Sequence, residues 1–86
     1  MARYDPLQEY LVRIPPSDRE IRLSFQDIER IIGDDLPPSA HNWSAWWANQ
    51  TRLDTRPHAQ AWLLAGWQVD EVDLRLARVC FRRRTT

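Results

Sequence analysis

Lysine is absent from this 86-residue chain, and glycine, cysteine and methionine nearly so, with two, one and one. Each shortage excludes something. A single cysteine, Cys80, excludes an internal disulfide. Gly33 and Gly66 alone cannot build a glycine-rich phosphate loop. No apolar run approaches the roughly 20 residues that span a bilayer. The opening Met1-Ala2-Arg3-Tyr4-Asp5 is too polar for a secretory signal. Net charge is zero and 43% of residues are apolar, which argues against disorder. The expectation is one soluble, cytoplasmic α+β domain over residues 1–84, with a disordered tail at 85–86.

What is plentiful is tryptophan and arginine. All five tryptophans lie between Trp43 and Trp67. Each can bury roughly 150–250 Å², so the cluster marks either the core or an aromatic contact surface. All twelve basic residues are arginine, whose fork-shaped donors suit phosphate, carboxylate and base edges. They are unevenly spread. Residues 1–43 hold five arginines and eight acids, net −3; residues 44–86 hold seven and four, net +3.

Asp5-Pro6 reads as a helix start, followed by Leu7, Tyr10, Leu11 and Ile14 at helical spacing. Pro15-Pro16 stops that helix. Ile21, Leu23 and Phe25 then alternate with polar residues, the period of a half-buried strand. Ser24 caps a second helix with Asp27 at the reciprocal position, Ile28, Ile31 and Ile32 form its stripe, and Gly33 closes it. After the loop 34–38, Ser39 is expected to cap a third helix carrying Ala40, Trp43, Trp46 and Trp47. Within it Trp46 is the ring expected to lie aside. Residues 50–56 read as a loop, and Thr55 as the cap of a fourth helix in which Trp62 and Ala65 face inward and Gly66 ends the run. A hairpin finishes the chain: Trp67 and Val69 share one phase, Val72 and Leu74 the other, and the slip at Asp70-Glu71 indicates a β-bulge. Arg75-Leu76-Ala77 lacks the usual turn residues. The expected core is Leu7, Leu11, Leu23, Phe25, Ile28, Ile32, Trp43, Trp47, Trp62, Trp67, Val72, Val79 and Phe81.

The order helix-strand-helix-helix-helix-strand-strand is that of a winged helix with one additional helix, its first strand joining the hairpin in a three-stranded antiparallel sheet. A generic layer of helices on a three-stranded sheet fits as well.

The segments Asp5-Pro6-Leu7 with Tyr10-Leu11, Leu23-Ser24-Phe25, Leu36-Pro37-Pro38-Ser39-Ala40, Ala45-Trp46-Trp47-Ala48-Asn49, Ala65-Gly66-Trp67-Gln68-Val69 and Val79-Cys80-Phe81-Arg82 resemble a small bacterial domain family of unknown function. The resemblance runs over nearly the whole chain. Domains of that family occur alone or joined to nuclease or restriction-type domains, which implies a nucleic-acid-handling role by association. It supplies no catalytic residues.

Read residue by residue, a nucleic-acid surface would use Arg52, Arg56 and the hairpin residues Arg75, Arg78 and Arg82 on phosphates, with Asn49, His58 and Gln60 towards bases. DNA is the expected partner before RNA, with a nuclease or another protein as a further partner. Asp70, Glu71 and Asp73 share the hairpin and would repel phosphate. Catalysis, cofactor and metal are not expected. His41 and His58 have no cysteine or carboxylate at ligand spacing, and Cys80 has no evident base, although nearby arginines would lower its pKa. Asp34-Asp35 reads as a turn. The alternative is a protein-interaction or self-association module, in which Trp and Arg act as anchors or the strand at 78–83 pairs with a neighbour as a sheet edge. Convergence of Arg52, Arg56, Arg75 and Arg78 favours nucleic acid; an exposed Trp46 beside Leu53 and Leu76 favours protein.

Overall fold

The computed structural model describes residues 3–49 and 57–84. The predicted Thr55 cap, the loop 50–56 and the tail 85–86 lie outside them. Helix α1 (Asp5–Val12) begins one residue earlier than read, because Tyr4 rather than Asp5 takes the cap position. Leu7 and Leu11, four apart, are its buried face. Strand β1 (Glu20–Ser24) runs straight into α2 (Phe25–Ile32). That junction is a complete capping box: the Asp27 N–H donates to Ser24 Oγ at 2.9 Å and the Ser24 N–H to Asp27 Oδ2 at 3.0 Å. These bonds, and the neighbouring Arg30 guanidinium, hold the Asp27 carboxyl below its ordinary range. Gly33 closes α2 at φ 69°, the left-handed region that glycine enters without steric cost.

The third helix is not one helix. Helix α3 (Pro38–Asn42) is capped by Pro37, not Ser39, and ends at Trp43. There the backbone is extended, and a separate 3₁₀ turn (Ser44–Trp47) begins. This break corrects two expectations. Trp43 no longer shares a face with Trp47, and it is 66% exposed rather than part of the core. Trp46 is half-buried against the core, not the outlying ring.

Helix α4 (Pro57–Leu63) leads into the hairpin of β2 (Trp67–Asp73) and β3 (Arg78–Arg83). The sheet order is β1-β3-β2, antiparallel throughout, with the predicted bulge between Val69 and Glu71. Strand β3 is therefore the central strand, which corrects its reading as an edge. One sheet face carries Leu23, Val79, Phe81 and Trp67 into the core. The helices cover that face; the other carries Glu20, Arg22, Arg78, Cys80, Arg82 and Glu71. Val72 packs on the core only in part.

Trp47, Trp62 and Trp67 are fully buried. Burying an indole strands its N–H unless an acceptor is supplied. Trp47 Nε1 donates to the Ala40 carbonyl at 2.9 Å, Trp62 Nε1 to Asn49 Oδ1 at 3.0 Å and Trp67 Nε1 to the Leu11 carbonyl at 3.1 Å. The rings stack across elements, with Phe25 on Trp47 at 5.0 Å and Trp47 on Trp62 at 5.8 Å between centroids. The aromatic cluster therefore fastens the start of α2, the 3₁₀ turn and α4 into one body.

Candidate nucleic-acid interface

The expected interface residues divide by what their side chains already do. Asn49 is committed to the fold. Its Oδ1 accepts from Trp62 Nε1 and from the Val69 N–H, and its Nδ2 donates to the Val69 carbonyl at 2.9 Å. Val69 faces Phe81 on β3 in a pair whose backbone groups point away from β3, so its N–H and C=O lie on the outer edge of β2. The Asn49 amide supplies both missing partners, as a neighbouring strand would. One side chain thus occupies the position on that edge where another chain would pair.

His58 lies flat on Trp46, with ring centroids 3.9 Å apart and planes 3° from parallel, and its Nε2 sits 2.7 Å from the Trp46 carbonyl oxygen. Gln60 is half-buried on α4. Arg52, Arg56 and Leu53 lie outside the described residues.

The hairpin arginines separate sharply. Arg82 is held between Glu20 at 3.2 Å and Asp70 at 3.4 Å. Arg83 is a structural clamp: Nε donates to the Asp18 carbonyl at 2.8 Å and NH2 to the carbonyls of Ile14 and Pro15, both at 2.9 Å. Its guanidinium carbon lies 4.3 Å above the Trp67 ring. A guanidinium so engaged ties the α1–β1 connection to the sheet and has little left for phosphate.

Arg75 and Arg78 are different. Both are exposed, and among the described residues neither makes an ion pair. Arg75 lies in the turn at 74–77, and Arg78 follows it as the first residue of β3. That turn is fixed despite its chemistry. Asp73 Oδ1 accepts from the Leu76 N–H at 3.0 Å, Ala77 takes φ 54°, and the Ala77 carbonyl accepts from the Phe25 N–H at 2.8 Å. The tip is thereby bonded to the first residue of α2. Leu76 projects from it, 58% exposed.

The outer sheet face brings together groups far apart in sequence. Glu20, Asp70 and Cys80 place a ligand atom each within 4.8 Å of one another. Arg82 is paired with both of those carboxylates, and the Cys80 thiol donates to Glu20 Oε1 at 3.3 Å. The thiol is pushed up from its ordinary range, first by burial and then by that carboxylate, against the opposing pull of Arg22. This reverses the expectation that surrounding arginines lower it. A raised thiol is a poor nucleophile near neutral pH.

Sequence reasoning missed the edge-pairing role of Asn49, the clamp at Arg83 and the exposed Trp43. Only the last had a local signal, since Asn42 and Ser44, both poor helix-interior residues, flank Trp43.

The geometry defines a small α+β domain with a three-stranded sheet and an aromatic core. The family described as "Domain of unknown function (DUF7662)" matches residues 4–85, and the chain belongs to it. No curated protein matches the chain, and no solved structure does. No helix among the described residues is long and apolar enough to cross a membrane.

Proposed function

We propose that this domain is a non-catalytic nucleic-acid-binding module of winged-helix type, acting on DNA before RNA alongside a nuclease or regulatory protein in the cytoplasm. The observation that carries the reading is the hairpin tip. Arg75 and Arg78 are exposed and, among the described residues, make no ion pair, in and beside a turn held by Asp73 and by the Ala77–Phe25 bond. A rigid loop with free guanidinium groups loses little entropy on meeting a phosphate backbone. The strand order β1-β3-β2, with α4 leading directly into β2, supports it. In a winged helix those positions belong to the wing and the helix beside it.

The test is a fluorescence-anisotropy titration of labelled duplex DNA, single-stranded DNA and RNA at about 50 mM salt, where phosphate contacts dominate. The wild type is expected to bind duplex DNA best. The double substitution Arg75→Ala, Arg78→Ala should weaken it by roughly tenfold, about 1.4 kcal/mol. No binding to any of the three, or unchanged binding by the double variant, overturns the reading.

Trp43 favours a second reading, a protein-interaction module. A Trp 66% exposed beside a short helix is a common anchor at interfaces. Trp43→Ala would then leave nucleic-acid binding unchanged and abolish capture of a protein partner.

A further inference from the structure

The two edges of the sheet are treated unequally. On β2, the Asn49 amide occupies the outward N–H and C=O of Val69. On β1 nothing comparable is present among the described residues. The Phe25 N–H donates to the Ala77 carbonyl, and the Arg83 N–H to the Arg19 carbonyl. With the register Ile21↔Phe81 and Leu23↔Val79, odd-numbered residues of β1 turn their backbone groups to β3. Even-numbered ones turn theirs outward. Ser24 is satisfied by Asp27. Glu20 and Arg22 face out, and among the described residues neither backbone has a partner on that side. Beside the strand, on the core side, a concavity of about 360 Å³ is lined by Tyr10, Leu23, Asp27, Arg30 and Ile31.

We infer that β1 is a self-association edge, and that its occupant is a second copy of this chain joined through an antiparallel β1–β1 pair. Charge complementarity selects the occupant and the register. With the two-fold axis at Ile21, Glu20 of each copy stands opposite Arg22 of the other. Both residues turn backbone groups outward, so each such pair exchanges two hydrogen bonds. The side chains that meet across it have opposite sign, which favours the pairing. Moving the register by two in one direction sets Arg22 against Arg22, and in the other Glu20 against Glu20. Arg22 is reachable: its side chain is 77% exposed, beside the Cys80 thiol and 3.7 Å from Glu20. Ile21, half-buried in the single chain, meets its own copy at the axis. Arg19 of the second copy comes opposite Leu23, over the concavity that Asp27 lines.

Two short strands bury less than the roughly 1,200 Å² of a standard interface, so the association is weak and concentration-dependent. It is independent of nucleic-acid binding.

Sedimentation velocity on the full chain, from about 10 µM to about 1 mM, reads the association directly. The wild type is expected to shift from monomer to dimer across that range. Arg22→Glu places like charges opposite each other twice and should weaken association at least about tenfold. Glu20→Arg does the same with the other sign. Mixed together, the two variants are complementary and should form a heterodimer. Amide hydrogen exchange on the wild type gives a readout that needs no variant, since the Arg22 N–H should slow with rising concentration. A monomer at about 1 mM, a dimer indifferent to Arg22→Glu, or an Arg22 amide whose exchange ignores concentration each overturns the inference. So does pairing of this edge with an extended segment of another protein in place of the second copy.

Discussion

The side-chain amide of Asn49 makes three bonds inside the fold, two accepted by its oxygen and one donated by its nitrogen. Removing them leaves the Trp62 indole N–H without its acceptor and the edge of β2 to water. At about 1 kcal/mol per net hydrogen bond, Asn49→Ala should destabilise by about 2–3 kcal/mol, read as a lower urea midpoint at unchanged slope. Asn49→Asp keeps the acceptor but turns a carboxylate oxygen towards the Val69 carbonyl, so it should also destabilise. A loss below about 0.5 kcal/mol for both would mean that water replaces the amide at no cost. Arg83 makes the same point from the basic side: an arginine in a charged tail can be a structural clamp, and its formal charge does not reveal which.

The hairpin turn is the element whose sequence and conformation disagree. Ala77 sits at φ 54°, where a Cβ costs roughly 1–2 kcal/mol. The entropic cost of glycine is about 0.5–1 kcal/mol. Ala77→Gly should therefore stabilise by up to about 1 kcal/mol in thermal or urea unfolding, provided the small packing contribution of the methyl is minor. Destabilisation would show that the methyl's contact with the core outweighs the strain. The same turn explains what could be read in advance. The capping box at Ser24 and Asp27, the left-handed Gly33 and the bulge after Val69 depend on a few neighbouring residues, so local spacing exposed them. The split of α3 from the 3₁₀ turn depended on where Trp47 could bury its ring and find the Ala40 carbonyl. That tertiary demand overrode a four-residue repeat that would have paired Trp43 with Trp47. Of the expected interface, the exposed tip arginines were legible because turns are exposed. The fate of Asn49 was not, because its partner Val69 lies twenty residues away.

At the scale of the molecule, the fold undoes a segregation present along the chain. The first half carries net −3 and the second net +3, yet Glu20 from the first meets Arg82 from the second, and Arg82 also holds Asp70. The sheet's outer face is thereby close to self-neutralised, and the whole chain is neutral. A neutral domain exerts little long-range attraction on a polyanion, so the proposed binding would have to come from guanidinium groups left unpaired. Among the described residues Arg13, Arg19, Arg75, Arg78 and Arg84 are exposed and make no ion pair, and of these Arg75 and Arg78 stand together at the hairpin tip. Each phosphate contact contributes about −0.9 to the slope of log K against log salt on duplex DNA. Two to four contacts predict a slope between about −2 and −4, measured by anisotropy across a salt series. Arg75→Ala, Arg78→Ala should bring that slope towards zero by about 2. A wild-type slope steeper than about −6 would require more phosphate contacts than the hairpin tip offers, and would bring arginines elsewhere on the surface into the interface. A slope near zero would separate binding from phosphate altogether and point instead to the apolar groups at the surface, Trp43 and Leu76 first.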